Sequence, residues 1–237
     1  PAADAQGFWT EPFDIHPIGS PQDAHNLLGP TAGLAFIGEN SDLAEEWQIE
    51  EINPDSLLNP LHFERINKTA YEKRCILEAN RIGVQGHRAA QQAFSRAESE
   101  FEIQHAYLAA TAQREQENPY AAIVAINANS AVLHYQHYET SRLPQQHLHS
   151  MLIDAGAQYN GYAADITRCH AFRPGLYRDL IQALDSEQLE LIAAIECGLP
   201  FLDLHKQMQL RLATLLREFK LTDLQPEDML AENLTFT

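Results

Sequence analysis

Two aspartates stand inside short apolar runs, and a single turn joins the runs. Met151-Leu152-Ile153-Asp154-Ala155-Gly156-Ala157 is followed by Gln158-Tyr159-Asn160-Gly161-Tyr162 and then by Ala163-Ala164-Asp165-Ile166-Thr167-Arg168. Asn-Gly between such runs is a strong hairpin signal. An ionised carboxylate within an apolar layer is costly unless it is paired, protonated or bound to metal. Two in one hairpin need an explanation.

Register narrows it. Side chains alternate faces with a period of two. If Asn160-Gly161 is a two-residue turn, Asp165 pairs with Gly156, and Asp154 lies diagonally from Asp165 on the same face. If Tyr159-Asn160 is the turn, the two aspartates stand directly opposite. A three-residue loop would put them on opposite faces. The two-residue readings place the carboxyl-bearing carbons roughly 5 to 8 Å apart. That suits two divalent cations about 3.5 to 4 Å apart, bridged by oxygen ligands. Gly156 leaves room over such a site. The spacing alone also allows two turn-flanking acids with local hydrogen bonds, and both readings stand at this point.

The flanking sequence predicts an α+β chain. Residues 1–66 are rich in Pro, Gly and Asn. They carry a candidate strand over 33–38 and a short helix over 41–48, which Ile52-Asn53-Pro54 ends. Thr69-Ala70-Tyr71-Glu72 is a capping box. It opens a long amphipathic helix marked by Ile76, Ala79, Ile82, Gly83, Gly86, Ala90 and Ala93, with small residues where something packs closely. Ser99-Glu100-Phe101-Glu102 is a second capping box and opens a second helix. Residues 121–126 and 131–135 have strand character, with Asn127-Ala128-Asn129-Ser130 as the turn between them. Helices over about 176–196 and 201–219 close the chain.

Composition excludes several functions. Lys plus Arg is 16 and Asp plus Glu is 33, a formal charge of -17. So acidic a chain has no footprint for a phosphate backbone, and anionic membranes repel it: neither nucleic acid nor membrane is an expected partner. Cys75, Cys169 and Cys197 are widely spaced and odd in number, which fits reduced thiols in the cytoplasm. No signal peptide is expected, and no run of eighteen apolar residues occurs in the sequence. Pro1-Ala2-Ala3-Asp4 does not resemble a natural start, so the chain is expected to begin partway through a longer protein. No GxSxG, HExxH or Gly-rich phosphate loop occurs. His137, His147 and His149 are read as loop and surface residues, and His87 and His205 as helix-face packing. Arg168 is expected to pair with a nearby carboxylate.

The aspartate hairpin resembles the first two metal-ligand strands of the bacterial Xaa-Pro dipeptidases (prolidases), a subfamily of the pita-bread metallopeptidases that includes organophosphorus acid anhydrolase. Phe8-Trp9-Thr10, Ile37-Gly38, Ile52-Asn53-Pro54, Gly86-His87-Arg88-Ala89-Ala90 and the stretch from Pro119-Tyr120 to His134-Tyr135 extend the resemblance along the chain. It implies that 1–66 is the tail of a creatinase-like N-terminal domain and 67–237 the first half of a pita-bread domain. It implies that Asp154 chelates one metal and Asp165 bridges two. It implies that His134 positions the scissile carbonyl or the bound dipeptide. Tyr120 and Leu133 would shape the pocket for the residue before proline.

The implied reaction is hydrolysis of Xaa-Pro dipeptides by a metal-bridging hydroxide. The implied cofactors are two divalent ions, manganese first, with zinc, cobalt or magnesium as alternatives. A homodimer is implied as well. The chain departs from the family in one respect. The family site has five protein ligands, and the His from a Pro-His-Gly-x-Gly-His segment and the two later glutamates have no counterpart here. The His segment would follow Leu234-Thr235-Phe236-Thr237. Two alternatives therefore accompany the dipeptidase reading: an organophosphate triester hydrolase using the same site, and an incomplete fragment that works only with a complementary C-terminal chain.

Overall fold

The computed structural model describes residues 10–235. Phe8 and Trp9, which contribute to the resemblance, and Phe236 and Thr237 lie outside them. Contacts divide the chain into two units at Cys75 and Ile76.

The first unit holds α1 (Pro21–Leu28), β1 (Ala35–Phe36), α2 (Ser41–Glu46), β2 (Glu51–Ile52) and α3 (Asp55–Ile66). β1 and β2 pair in parallel. Only two residues of the strand expected over 33–38 join this ladder. Asn53 adopts a positive φ of 50°. Its side chain accepts from Gly38 N at 3.0 Å and donates to Gly38 O at 2.9 Å, so the amide extends the ladder where the backbone turns away. The sequence pattern missed α1 and α3. α3 carries Pro60 inside it, a residue that removes an intrahelical hydrogen bond and weakens the periodic signal.

α4 (Ala70–Ser95) crosses the division. Its capping box forms as expected, with Thr69 N donating to Glu72 and Glu72 N donating to Thr69 Oγ1 at 3.2 Å. The second unit continues with α5 (Glu100–Thr111), β3 (Ile123–Ile126), β4 (Ser150–Asp154), β5 (Gln158–Tyr159), β6 (Tyr162–Ala163), β7 (Thr167–Ala171), α6 (Leu176–Ala193), α7 (Phe201–Glu218) and α8 (Pro226–Ala231). β3, β4 and β7 form one antiparallel sheet in that order. Val124, Met151 and Ile153 on one face of it join Ala90, Phe94, Ile103 and Tyr107 of α4 and α5 in the core. The small residues of α4 are there for close approach. A Cβ at Gly83 would stand 3.3 Å from Ile166, and one at Gly86 would stand 2.5 Å from the Tyr107 ring.

The strand expected over 131–135 does not form. Residues Asn127–Ala131 make a 3-10 turn instead. Asn127, at φ 53°, bonds through its side chain to His147 O, His149 N and Ser150 N, so it caps the entry to β4 and turns the chain off the sheet. The apolar and aromatic residues of this stretch are used differently. Tyr135 is buried, whereas Leu133 is 87% exposed and His134 is exposed.

His87, on α4, is buried rather than simply packed on a helix face. Its Nε2 donates to the Ala155 carbonyl at 3.0 Å, and its Nδ1 is buried with no close hydrogen bond among the described residues. Burial holds its pKa below the ordinary 6.5, with Arg168 adding to the effect. Burial does the same at His170, where His87 and Arg168 add to it. Each imidazole protonates more readily in the unfolded chain than in the fold. Their contribution to stability is therefore intact above pH 6.5 and is lost as the pH falls from there toward the lowered folded values. Thermal melts taken between about pH 7 and about pH 5 should show stability declining with acid, and His87→Gln, which keeps a donor for Ala155, should flatten part of that decline. An unchanged slope in the variant would mean that His87 is not one of the groups responsible.

Candidate metal centre

The hairpin register resolves the alternatives left open by the sequence. Tyr159 pairs with Tyr162 and Gln158 with Ala163, so the turn is Asn160-Gly161. Both turn residues have positive φ, 49° and 81°, as a type I′ turn requires. Farther down, Asp154 pairs with Thr167 in the same register. No residue is inserted between the two ladders. Ala164 N donates to Ala157 O at 2.8 Å and Ala155 N to Ile166 O at 3.1 Å. Asp165 therefore stands opposite Gly156, and Asp154 is its diagonal neighbour on the same face.

Tyr120 confirms the shared face. Its hydroxyl lies 2.8 Å from Asp154 Oδ1 and 2.9 Å from Asp165 Oδ1. The two carboxylate oxygens can be no farther apart than the sum of those distances. Gly156 makes room for this. A Cβ there would run into the Ala164 carbonyl and come within 2.8 Å of both Pro119 Cγ and Tyr120 Cε1. Gln113 fixes the approach of the Pro119-Tyr120 segment. Its amide donates to Gln158 O at 2.6 Å and accepts from Gln158 N at 3.2 Å, serving as a short extra strand against the hairpin.

The arrangement is short of positive charge. Burial, reinforced by hydrogen bonds to both carboxylates, pushes the Tyr120 phenol well above its ordinary pKa, so it keeps its proton. It has one proton for two carboxylates. Arg168 does not supply a cation. It donates to the neighbouring Thr167 carbonyl at 2.7 Å, and no ion pair to Arg168 occurs among the described residues. Two oxygen donors on one face, with one hydroxyl proton between them, fit a hard divalent cation.

The burial expected for both aspartates holds only in part. Asp154 is half-buried and Asp165 is exposed, because no described element covers that face of the hairpin. Among the described residues no group of three or more His, Cys, Asp or Glu side chains could hold a metal ion. The structure thus brings Tyr120, Asp154 and Asp165 together. Leu133 and His134 are not among the hydrogen-bond partners of this group and stand on an exposed turn after β3, with His134 at φ 54°. The sequence named Tyr120 but not its bond to the aspartates. Partners 34 and 45 residues away leave no local pattern.

Removing that hydroxyl should be measurable. Tyr120→Phe leaves two facing carboxylates without their donor and should lower metal-free stability by about 1–2 kcal/mol near neutral pH. Added Mn²⁺ should raise the melting temperature of the variant more than that of the parent chain. Equal metal-induced shifts would show that Tyr120 and the cation do not serve the same two carboxylates.

Comparison with known proteins places this geometry in context. The family described as "Metallopeptidase family M24" matches residues 74–222, and "Xaa-Pro dipeptidase, N-terminal domain" matches residues 1–63. The Xaa-Pro dipeptidase of Pseudoalteromonas translucida (strain TAC 125) is 44% identical over 232 residues, which is 97% of this chain and 52% of the relative. That of Aeromonas hydrophila subsp. hydrophila is 44% identical over 229 residues, 96% of this chain and 52% of the relative. The chain spans about half the length of the curated relatives it matches. Among solved structures, a low-pH form of Escherichia coli aminopeptidase P superposes with a TM-score of 0.69 at 17% identity, covering 90% of this chain and 52% of that one. Proline aminopeptidase P II from Yersinia pestis gives a TM-score of 0.66 at 18% identity, with 90% and 53% covered. At such identities the structural likeness speaks for the fold: α+β, with part of a pita-bread domain.

Proposed function

Because the chain belongs to metallopeptidase family M24, we propose that it is the part of an Xaa-Pro dipeptidase that supplies Asp154 and Asp165 to a pair of divalent cations. One observation carries the proposal. A single Tyr120 hydroxyl stands within hydrogen-bonding distance of both carboxylates and has one proton to give them. Such a pair is left with acceptor capacity that a cation satisfies.

Each residue has a task in this reading. Asp154, at the end of β4, presents its carboxylate from a strand whose register is fixed on both sides, by Ile123 and by Thr167. Together with Asp165, opposite Gly156, it would hold the cations. Tyr120 limits the motion of both carboxylates and stays protonated while doing so. When bound, the cations supply Lewis-acid polarisation of the scissile carbonyl and of water. His134 and Leu133 would meet the substrate from their exposed turn, His134 at the scissile carbonyl and Leu133, with the Tyr120 ring, around the residue before proline. Two carboxylates do not complete a cation's shell, and water or further donors would fill the remaining positions. We propose manganese as the metal and a homodimer as the assembly, both on the strength of the family resemblance.

The test is metal-dependent hydrolysis of an Xaa-Pro dipeptide, assayed beside a phosphotriester, with Asp165→Asn as the control. About two metal ions per active site and dipeptide turnover, both lost in Asp165→Asn by at least about a hundredfold in rate, are expected. Turnover of the phosphotriester alone would sink the dipeptidase assignment. Turnover and metal content unaffected by Asp165→Asn would remove this hairpin from the chemistry.

A further inference from the structure

A buried carboxylate elsewhere in the second unit is satisfied in a way the aspartates are not. Glu100, the first residue of α5, is 1% exposed and accepts four hydrogen bonds. Oε1 receives Ile126 N at 2.7 Å and Asn129 Nδ2 at 2.9 Å. Oε2 receives the Tyr135 hydroxyl at 2.8 Å and Glu139 N at 2.9 Å. Asn129 also donates to the Tyr135 hydroxyl at 3.0 Å, so the donors are themselves linked.

The positions of these donors matter more than their number. Residues 126 and 129 precede the exposed turn at Leu133-His134, and residues 135 and 139 follow it. One side chain therefore clamps both legs of a loop that contributes no strand to the sheet. Neighbouring residues of α5 add to the clamp. Phe101 N donates to Glu139 O at 3.2 Å. Arg142 pairs with Glu102, whose own carboxylate caps α5. The tip between the legs is held in an uncommon state. His134 adopts a left-handed backbone conformation while exposed, beside a Leu133 that is 87% exposed. A left-handed, non-glycine residue persists where the surrounding structure fixes it.

We infer that Glu100 is a positioning residue for substrate recognition, holding the Leu133-His134 turn where it meets the dipeptide. The inference rests on the proposed role of that turn and adds to it a residue that touches neither substrate nor metal. Its chemistry predicts a particular failure. Glu100→Gln keeps one acceptor oxygen but sets an amide NH2 against a second pair of donors. Tyr135 can rotate and accept instead, whereas the Glu139 N–H cannot. The trailing leg of the loop should loosen first.

The experiment compares Glu100→Gln and Tyr135→Phe with the parent in the metal-loaded, hydrolytically active protein. The readouts are KM, kcat, metal content and hydrogen exchange of the amides over 127–139. Glu100→Gln should raise KM for the dipeptide about tenfold, change kcat less than about threefold, leave metal content alone and speed exchange in the loop. Tyr135→Phe removes its bonds to Glu100 and Asn129 without adding a donor, should fold normally and should shift KM in the same direction by less. It decides the question by itself if Glu100→Gln does not fold. Faster loop exchange with an unchanged KM would make Glu100 a purely structural residue and overturn the inference, as would a loss confined to kcat or accompanied by loss of metal. Metal content and turnover of the parent protein test the metallopeptidase reading independently, so an unchanged KM in an active protein counts against the clamp alone.

Discussion

Gly156 has no side chain, and the geometry of the candidate site follows from that absence. A Cβ there would meet the Ala164 carbonyl, Pro119 and the Tyr120 ring together. Without it, the two arms of the hairpin keep one register from Asp154–Thr167 to Tyr159–Tyr162, and the Tyr120 ring enters from the side. The hydroxyl of that ring reaches both aspartates. Backbone register puts the carboxylates on one face, and the glycine admits the group that draws them together. Behind them, the His87 bond to the Ala155 carbonyl fixes the strand end from the α4 side.

The second unit holds acidic groups in two contrasting ways. Glu100 is almost fully buried and has four donors, two for each oxygen. Its oxygens need no further partner, which suits a residue that holds the 127–139 loop in place and binds nothing itself. Asp154 and Asp165 are less buried and share one donor proton. Two carboxylates on one face that share a single protein donor keep acceptor sites open to water or to a cation. Burial alone would have ranked these groups in the wrong order. Counting donors against acceptors separates scaffold from site.

Much of this was legible in the sequence where the signal is local. Both capping boxes form, and of the turns the sequence left open the Asn160-Gly161 one is found, which makes the aspartates diagonal neighbours. The long helices begin and end within a few residues of their expected limits. The failures have physical causes. The pattern over 131–135 suggested a strand, but the chain enters a 3-10 turn over Asn127–Ala131, and Glu100 holds the residues on either side of the exposed turn through Ile126, Asn129, Tyr135 and Glu139. α3 was hidden by an internal proline, and α1 and α8 are only eight and six residues long. The Tyr120 bonds, the Gln113 clamp and the four donors to Glu100 all join residues far apart in the chain. The family resemblance supplied roles for single residues, and the structure supplied the bonds that connect them.

The central claim is that Asp154 and Asp165 together hold a divalent cation. The most direct measurement is anomalous diffraction from crystals equilibrated with millimolar Mn²⁺. The account predicts a manganese peak within coordinating distance of oxygens of both aspartates, with Tyr120 retaining a bond to at most one of the oxygens it now contacts. A structure with no peak there, and with Tyr120 still bridging the same two oxygens, would contradict it.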